Sequence, residues 1–160
     1  MRVLLTAAII GLMATQSLAL SCLRPDPVET FNRLSAADES YFVLLGSLTF
    51  DEAALPPSVG DNQTIDPDPI PGTFVGKGLS KQGFMTEYVS DVLLQITCAG
   101  PWCGSATSNV DAIWFVPFSD PPVTLIAEPC GGMTFYEPSD AVVEMLESCM
   151  AGSTCTPVNR

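Results

Sequence analysis

Six cysteines (Cys22, Cys98, Cys103, Cys130, Cys149 and Cys155) in a 160-residue chain without a histidine constrain this sequence more than any other feature. An even count in a small exported domain reads as three disulfides, for which six cysteines allow fifteen connectivities. Zinc is the rival use of cysteine. The Cys98-x4-Cys103 and Cys149-x5-Cys155 spacings are wider than the usual ligand pair, and no histidine is present to complete a mixed site. The short loops favour Cys98–Cys103 and Cys149–Cys155 as local clips. No cofactor or metal site is expected.

The N-terminus points to an oxidising compartment. Met1-Arg2 leads into an apolar run from Val3 to Met13, then Ala14-Thr15-Gln16-Ser17-Leu18-Ala19. A positive start, an apolar stretch and a small-x-small ending make a secretory signal over 1–19, cleaved after Ala19. The alternative, a membrane anchor, needs about 20 apolar residues, and polar residues interrupt this run sooner. No later segment reaches about 18 apolar residues, so no membrane span is expected there. Ala19-Leu20-Ser21-Cys22 also admits lipoprotein cleavage with Cys22 acylated, although Ala and Leu are poor outer residues for such a box. The protein is therefore expected in the periplasm or outside the cell. Residues 20–160, 141 in all, are enough for a single domain with its own core.

Loss of Arg2 takes the formal charge from −12 to −13 and leaves Arg24, Arg33, Lys77, Lys81 and Arg160 unclustered. Such a surface repels phosphate backbones and anionic bilayers, so neither nucleic acid nor an anionic membrane surface is expected as a partner. Apolar residues make up 47% of the chain, too many for a disordered one.

Asp26-Pro27-Val28-Glu29 starts a helix: Asp26 caps, Pro27 suits the first helical position and Glu29 reaches back to the cap. Val28, Phe31 and Leu34 share a face, predicting a short helix over 27–36 that must pack on something. Tyr41 to Phe50 (YFVLLGSLTF) is rich in strand formers, and Gly46 predicts a bulge or bend. The proline-rich stretch from Leu55 to Gly72 reads as a long loop. Strands resume over Thr73–Leu79, turn at Ser80–Gly83 and continue through Phe84–Thr97. CAGPWCG is a tight loop. Asp111–Phe118 and Val123–Ala127 are expected to form a hairpin across Ser119-Asp120-Pro121-Pro122. A last helix is capped by Ser139 and stopped by Gly152. Its stripe is Val142, Met145, Leu146, Cys149 and Met150, with Glu144 and Glu147 outside.

This order, with Ser21-Cys22-Leu23 before the capped helix, Tyr41 to Leu48 as first strand and Pro129-Cys130-Gly131-Gly132 after the last hairpin, resembles the netrin-like module. That module is the OB-fold barrel of the tissue inhibitors of metalloproteinases and their bacterial relatives. The resemblance covers most of residues 21–150. It implies a mainly β fold, a small disulfide-bonded OB-like β-barrel with a short N-terminal helix and a C-terminal helix. It also implies a Cys22–Cys130 bond tying the N-terminus to the end of the barrel. The inhibitors chelate a protease's zinc through the free amine and carbonyl of an N-terminal cysteine and carry a second cysteine two positions on. Here Leu20 and Ser21 precede Cys22, and Arg24 stands at the second position, so the inhibitory ridge departs from that pattern.

Asp61, Asp66 and Asp68 crowd one loop, but the glycine and glutamate of a calcium-binding EF loop are missing, and a solvated acidic loop is the simpler reading. Asn62-Gln63-Thr64 is a glycosylation sequon where the host is eukaryotic. The chain lacks an imidazole base, a nucleophile elbow, a P-loop and a dinucleotide fingerprint. Glu87, Asp91, Asp111 and Glu128 lie on or near strands; a hydrolase would need two of them about 5–10 Å apart. The C-x4-C loop is a structural clip, since oxidoreductases use C-x-x-C. Trp114 or Phe115 reads as core, and Trp102 as the presented aromatic. The sequence thus reads as a non-catalytic binding module that presents CAGPWCG, with Pro101 and Trp102, and the 55–72 loop to a protein or carbohydrate. The alternative is an envelope hydrolase using a carboxylate pair, and a metalloprotease inhibitor ranks third.

Overall fold

The computed structural model describes residues 22–57, 67–100 and 102–157. The signal segment over 1–19, Asp61, Asp66, the Asn62 sequon and Pro101 lie outside the described residues. The first element is α1 (Pro27–Ser35), where the Asp26 carboxylate accepts from the N–H groups of Val28 (2.8 Å) and Glu29 (3.0 Å). Such a cap satisfies amides that the first helical turn otherwise leaves without partners. Eight strands follow: β1 (Tyr41–Phe50), β2 (Ile70–Ser80), β3 (Gly83–Ile96), β4 (Cys98–Ala99), β5 (Trp102–Cys103), β6 (Asp111–Pro117), β7 (Thr124–Ala127) and β8 (Thr134–Tyr136). Helix α2 (Asp140–Met150) comes last.

The protein is mainly β. Six strands form one curled sheet in the order β7-β3-β2-β1-β6-β8, while β4 and β5 make a separate two-stranded ribbon. Neighbours in the large sheet are antiparallel except β3 and β7, which run parallel. The curl brings β7 back beside β6. It is tied there by Phe115 N–H to Met133 O (2.8 Å) and the Thr134 hydroxyl to Ile126 O (3.0 Å).

Inside the curl, Leu44, Leu48, Phe74, Leu94, Ile96, Trp114, Val116 and Leu125 form one buried cluster. Outside it, α1 and α2 cover the backs of β1 and β6, burying Val28, Leu34, Val43, Phe84, Ile113, Phe115, Met133, Leu146 and Cys149. Strands β1 and β6 are therefore buried on both faces, which accounts for their near-continuous apolar runs. On β2 and β3 the helices cover only the hairpin end at Leu79 and Phe84, and along β3 exposed Glu87, Val89 and Asp91 alternate with half-buried Tyr88 and Ser90.

Of the fifteen pairings, the structure has Cys22–Cys130, Cys98–Cys103 and Cys149–Cys155, with Cα separations of 5.2, 4.0 and 4.6 Å.

Several local expectations are corrected. Gly46 is not a bulge: it sits in regular register opposite Gly76 and Ala112. Its small size serves the close approach of β1 and β2 instead: a Cβ on Gly46 would run into the Val75 carbonyl and one on Gly76 into the Leu45 carbonyl, and the Phe74 ring takes up the space beside both glycines. A Cβ on Gly46 would lie 3.0 Å from Phe74 Cζ, and one on Gly76 2.8 Å from Cε1. The irregularity falls between Gly78 and Leu79, which pair with Thr86 and Phe84 and leave Met85 as the extra residue.

β6 and β7 do not form a hairpin. Both edges of β6 are already taken, by β1 and β8, and Pro121-Pro122 has no N–H with which to begin a ladder, so β7 adds to β3. β2 starts at Ile70, earlier than its turn residues suggest. Pro71 is tolerated because β1 ends at the Phe50–Gly72 pair, so no β1 acceptor waits for its missing N–H. Ser139 sits at the α2 cap position without a side-chain bond, and Glu147 is not outside: its Oε1 accepts from the Phe84 N–H at 2.9 Å.

Candidate binding surface

Trp102 stands on the β4–β5 ribbon, where Cys98 pairs with Cys103 and Ala99 with Trp102. Gly100 makes the turn at φ +60°. The ribbon is anchored by Gly104 N–H to Thr97 O (2.8 Å) and Thr97 N–H to Ala127 O (2.9 Å). A side chain at Gly104 would run into the Ala127 carbonyl, so only glycine allows this approach. Trp102 is 44% exposed on this disulfide-clipped ribbon, whereas Trp114 and Phe115 are buried.

The four carboxylates singled out in the sequence are dispersed. Glu87 and Asp91 lie on the outer face of β3, about 13 Å apart along the strand at about 3.3 Å per residue. Asp91 Oδ1 accepts from the Thr73 hydroxyl at 3.1 Å. Asp111 opens β6 opposite Ser47. Glu128 follows β7 and lines a separate groove of about 340 Å³ with Leu23, Arg33, Cys130 and Gly132. Partial burial raises the Glu128 pKa, and the charge of Arg33 partly offsets this. Much of the Glu128 side chain remains open to water, which screens the effect. Among the described residues, no group of three Asp, Glu or Cys side chains is placed to hold a metal ion.

A groove of about 860 Å³ runs along the outer face where β1 and β2 meet the β8–α2 connection. Leu45, Val75, Val110 and Val143 give it an apolar floor, and Lys77, Asn109, Asp111, Glu137 and Asp140 its polar rim. An apolar floor with a few placed polar groups is the usual make-up of a ligand site. Asn109 (φ +60°) and Glu137 (φ +48°) are the two non-glycine residues with positive φ among the described residues, and both line this groove. Side chains rarely adopt that region, and such positions concentrate at functional sites.

Asn109 is held from outside the groove, and Glu137 from the groove's own rim. Asn109 N–H donates to Leu48 O (2.8 Å), its Oδ1 accepts from the Thr49 hydroxyl (2.7 Å), and Glu137 N–H donates to Asp111 O (2.9 Å). Nearby, the Tyr136 hydroxyl accepts from Thr107 N–H at 3.1 Å, and burial raises its pKa. Of the rim, Asp111 is the residue that the sequence marks as a candidate. Lys77 and Asp140 carry no motif, and Glu137 gives no hint of its backbone state, because glutamate is not a turn-specific residue.

No protein-family model, curated protein or solved structure matches the chain.

Proposed function

We propose that the mature chain is a non-catalytic exported binding module, an OB-like barrel that takes a protein or carbohydrate ligand on the groove beneath Glu137. The groove is the observation that carries this reading: it encloses about 860 Å³, it has an apolar floor and an ionic rim, and two residues with positive φ shape it. The barrel part of the reading rests on topology. Strands β1, β2, β3, β6 and β7 curl into a partly open barrel, as in an OB-fold, with a single parallel pairing between β3 and β7. The netrin-like part draws support from Cys22–Cys130, which ties the segment before α1 to the segment after β7. Three disulfides suit the periplasm or the exterior.

The test is a titration of the isotope-labelled, disulfide-intact mature chain with oligosaccharide and peptide panels. The expected ligand perturbs the amides of Leu45, Val75, Lys77 and Asp111, and Lys77→Glu weakens it about tenfold with the melting temperature unchanged. A footprint confined to Trp102 and its ribbon would move the site to the clip and overturn the groove reading.

A second reading, hydrolysis by a carboxylate pair, has one observation in its favour: Glu128 is the carboxyl whose pKa burial raises, as a general acid requires. Ligand turnover abolished by Glu128→Gln would replace the binding module with that enzyme.

A further inference from the structure

We propose that the free edge of β3, residues Glu87–Asp91, accepts an extended basic peptide as an added antiparallel strand. β3 runs from Gly83 to Ile96, yet β7 pairs only with Leu93–Ile96. Among the described residues, the stretch before Leu93 therefore has β2 on one side and no strand on the other. Such an edge is a ready template for another chain.

The direction of its peptide groups follows from neighbouring bonds. Leu93 N–H donates to Val123 O and Thr97 N–H to Ala127 O, both at 2.9 Å and both on the β7 side. Peptide groups alternate along a strand, so those of Asp91, Val89 and Glu87 face the same open side. Those of Tyr88 and Ser90 face β2, opposite Gly76 and Phe74. Asp91 O accepts a bond from its neighbour's Ser90 hydroxyl at 3.0 Å, a local substitute for a cross-strand donor. The edge ends at Phe84, whose N–H is bonded to Glu147.

The residues that offer backbone groups to this edge also point their side chains outward. Glu87 and Asp91 are exposed, and Val89 is 67% exposed between them. On the β2 side, Lys77 lies opposite Glu87, Val75 opposite Val89 and Thr73 opposite Asp91. The open side therefore reads acid, apolar, acid. A second copy of this chain paired about Val89 would set Glu87 against Asp91 twice, and like charges directly opposite destabilise a pair. A strand with Lys or Arg facing the two acids and a β-branched residue facing Val89 makes attractive pairs at all three positions. The net charge of −12 favours the approach of a cationic chain. This edge lies across β2 from the groove, so the two surfaces stand or fall separately.

The probe is the capped peptide Thr-Lys-Thr-Val-Thr-Lys-Thr, titrated into isotope-labelled, disulfide-intact mature protein. The expected result is saturable shifts centred on the Glu87, Val89 and Asp91 amides. N-methylation of the two lysines and the valine, whose N–H groups face β3, should weaken binding about tenfold or more, while N-methylation of the inner threonines should be tolerated. The Glu87→Lys, Asp91→Lys double variant, melting near the parent temperature, should instead prefer the peptide with glutamates for lysines. Equal binding of both methylated peptides, shifts spread over the acidic surface, or no β3 shift at millimolar peptide would overturn the proposal.

Discussion

The two halves of the curled sheet share one interior and differ in what lies behind them. Behind β1 and β6 stand α1 and α2, fastened by two of the three disulfides. Cys22 leads into α1 and is bonded to Cys130, while Cys149 of α2 is buried and bonded to Cys155. The Cys155 carbonyl accepts from Asn32 of α1 at 3.3 Å, linking the clipped tail to the first helix. Behind β2 and β3, α2 reaches the hairpin end at Leu79 and Phe84; beyond it Val75, Met85 and Val89 are 52%, 68% and 67% exposed. The strands record the difference: AIWFV is apolar throughout, whereas TEYVSDV mixes polar and apolar residues, with Glu87, Val89 and Asp91 exposed. One half is scaffold and the other carries the open edge of β3, while the groove lies on the seam between them, lined by Leu45 of β1, Val75 and Lys77 of β2 and Val143 of α2.

The largest expected effect comes from unfastening the scaffold. Cys22→Ser with Cys130→Ser opens a loop spanning 108 residues, and loop-closure entropy puts the loss at roughly 4–5 kcal/mol, against about 2 kcal/mol for removing Cys98–Cys103. Denaturant titration measures both, and equal losses would mean the long staple constrains little. Next, Leu146→Ala should cost about 3 kcal/mol as a cavity in the covered half. Val89→Thr in the bare half should stay within about 0.5 kcal/mol. Comparable costs would show that the bare face is covered after all.

A smaller effect tests the link between the halves. Glu147→Ala removes the acceptor of Phe84 N–H and should cost about 1–2 kcal/mol, with faster exchange at Phe84. The smallest effect depends on pH. The raised pKa of Glu128 means the folded state holds its proton more tightly than the unfolded chain does. Its ionisation therefore costs no stability below the ordinary value of 4.5, and the penalty grows as pH rises through the folded value. Glu128→Gln should match the parent at low pH and slightly exceed it at neutral pH, as thermal melts at both pH values would show.

Much of the mainly β architecture was legible because its signals are local. Asp26 caps α1 as its residue type predicts, and the continuous run of β6 announces burial on two faces. What was not legible depends on partners distant in sequence. The expected β6–β7 hairpin followed the default that neighbours in sequence pair, and nothing local shows that β1 and β8 already occupy β6. Gly46 looked like a bulge because the backbone that needs its space, at Val75 and Gly76, arrives from another strand. Glu147 looked solvated because its acceptor role is set by Phe84, 63 residues earlier. The groove was hidden for the same reason: Lys77, Asp111 and Glu137 meet only once β2, β6 and the β8–α2 connection are in place.

Amide hydrogen exchange along β3 tests the central claim, that half of this sheet is left open, most directly. An alternating pattern is expected: Tyr88 and Ser90, bonded toward β2, exchange slowly, while Glu87, Val89 and Asp91 exchange quickly. Uniform slow exchange from Glu87 to Asp91 would mean that another segment or a second copy already covers the edge, and would contradict the account.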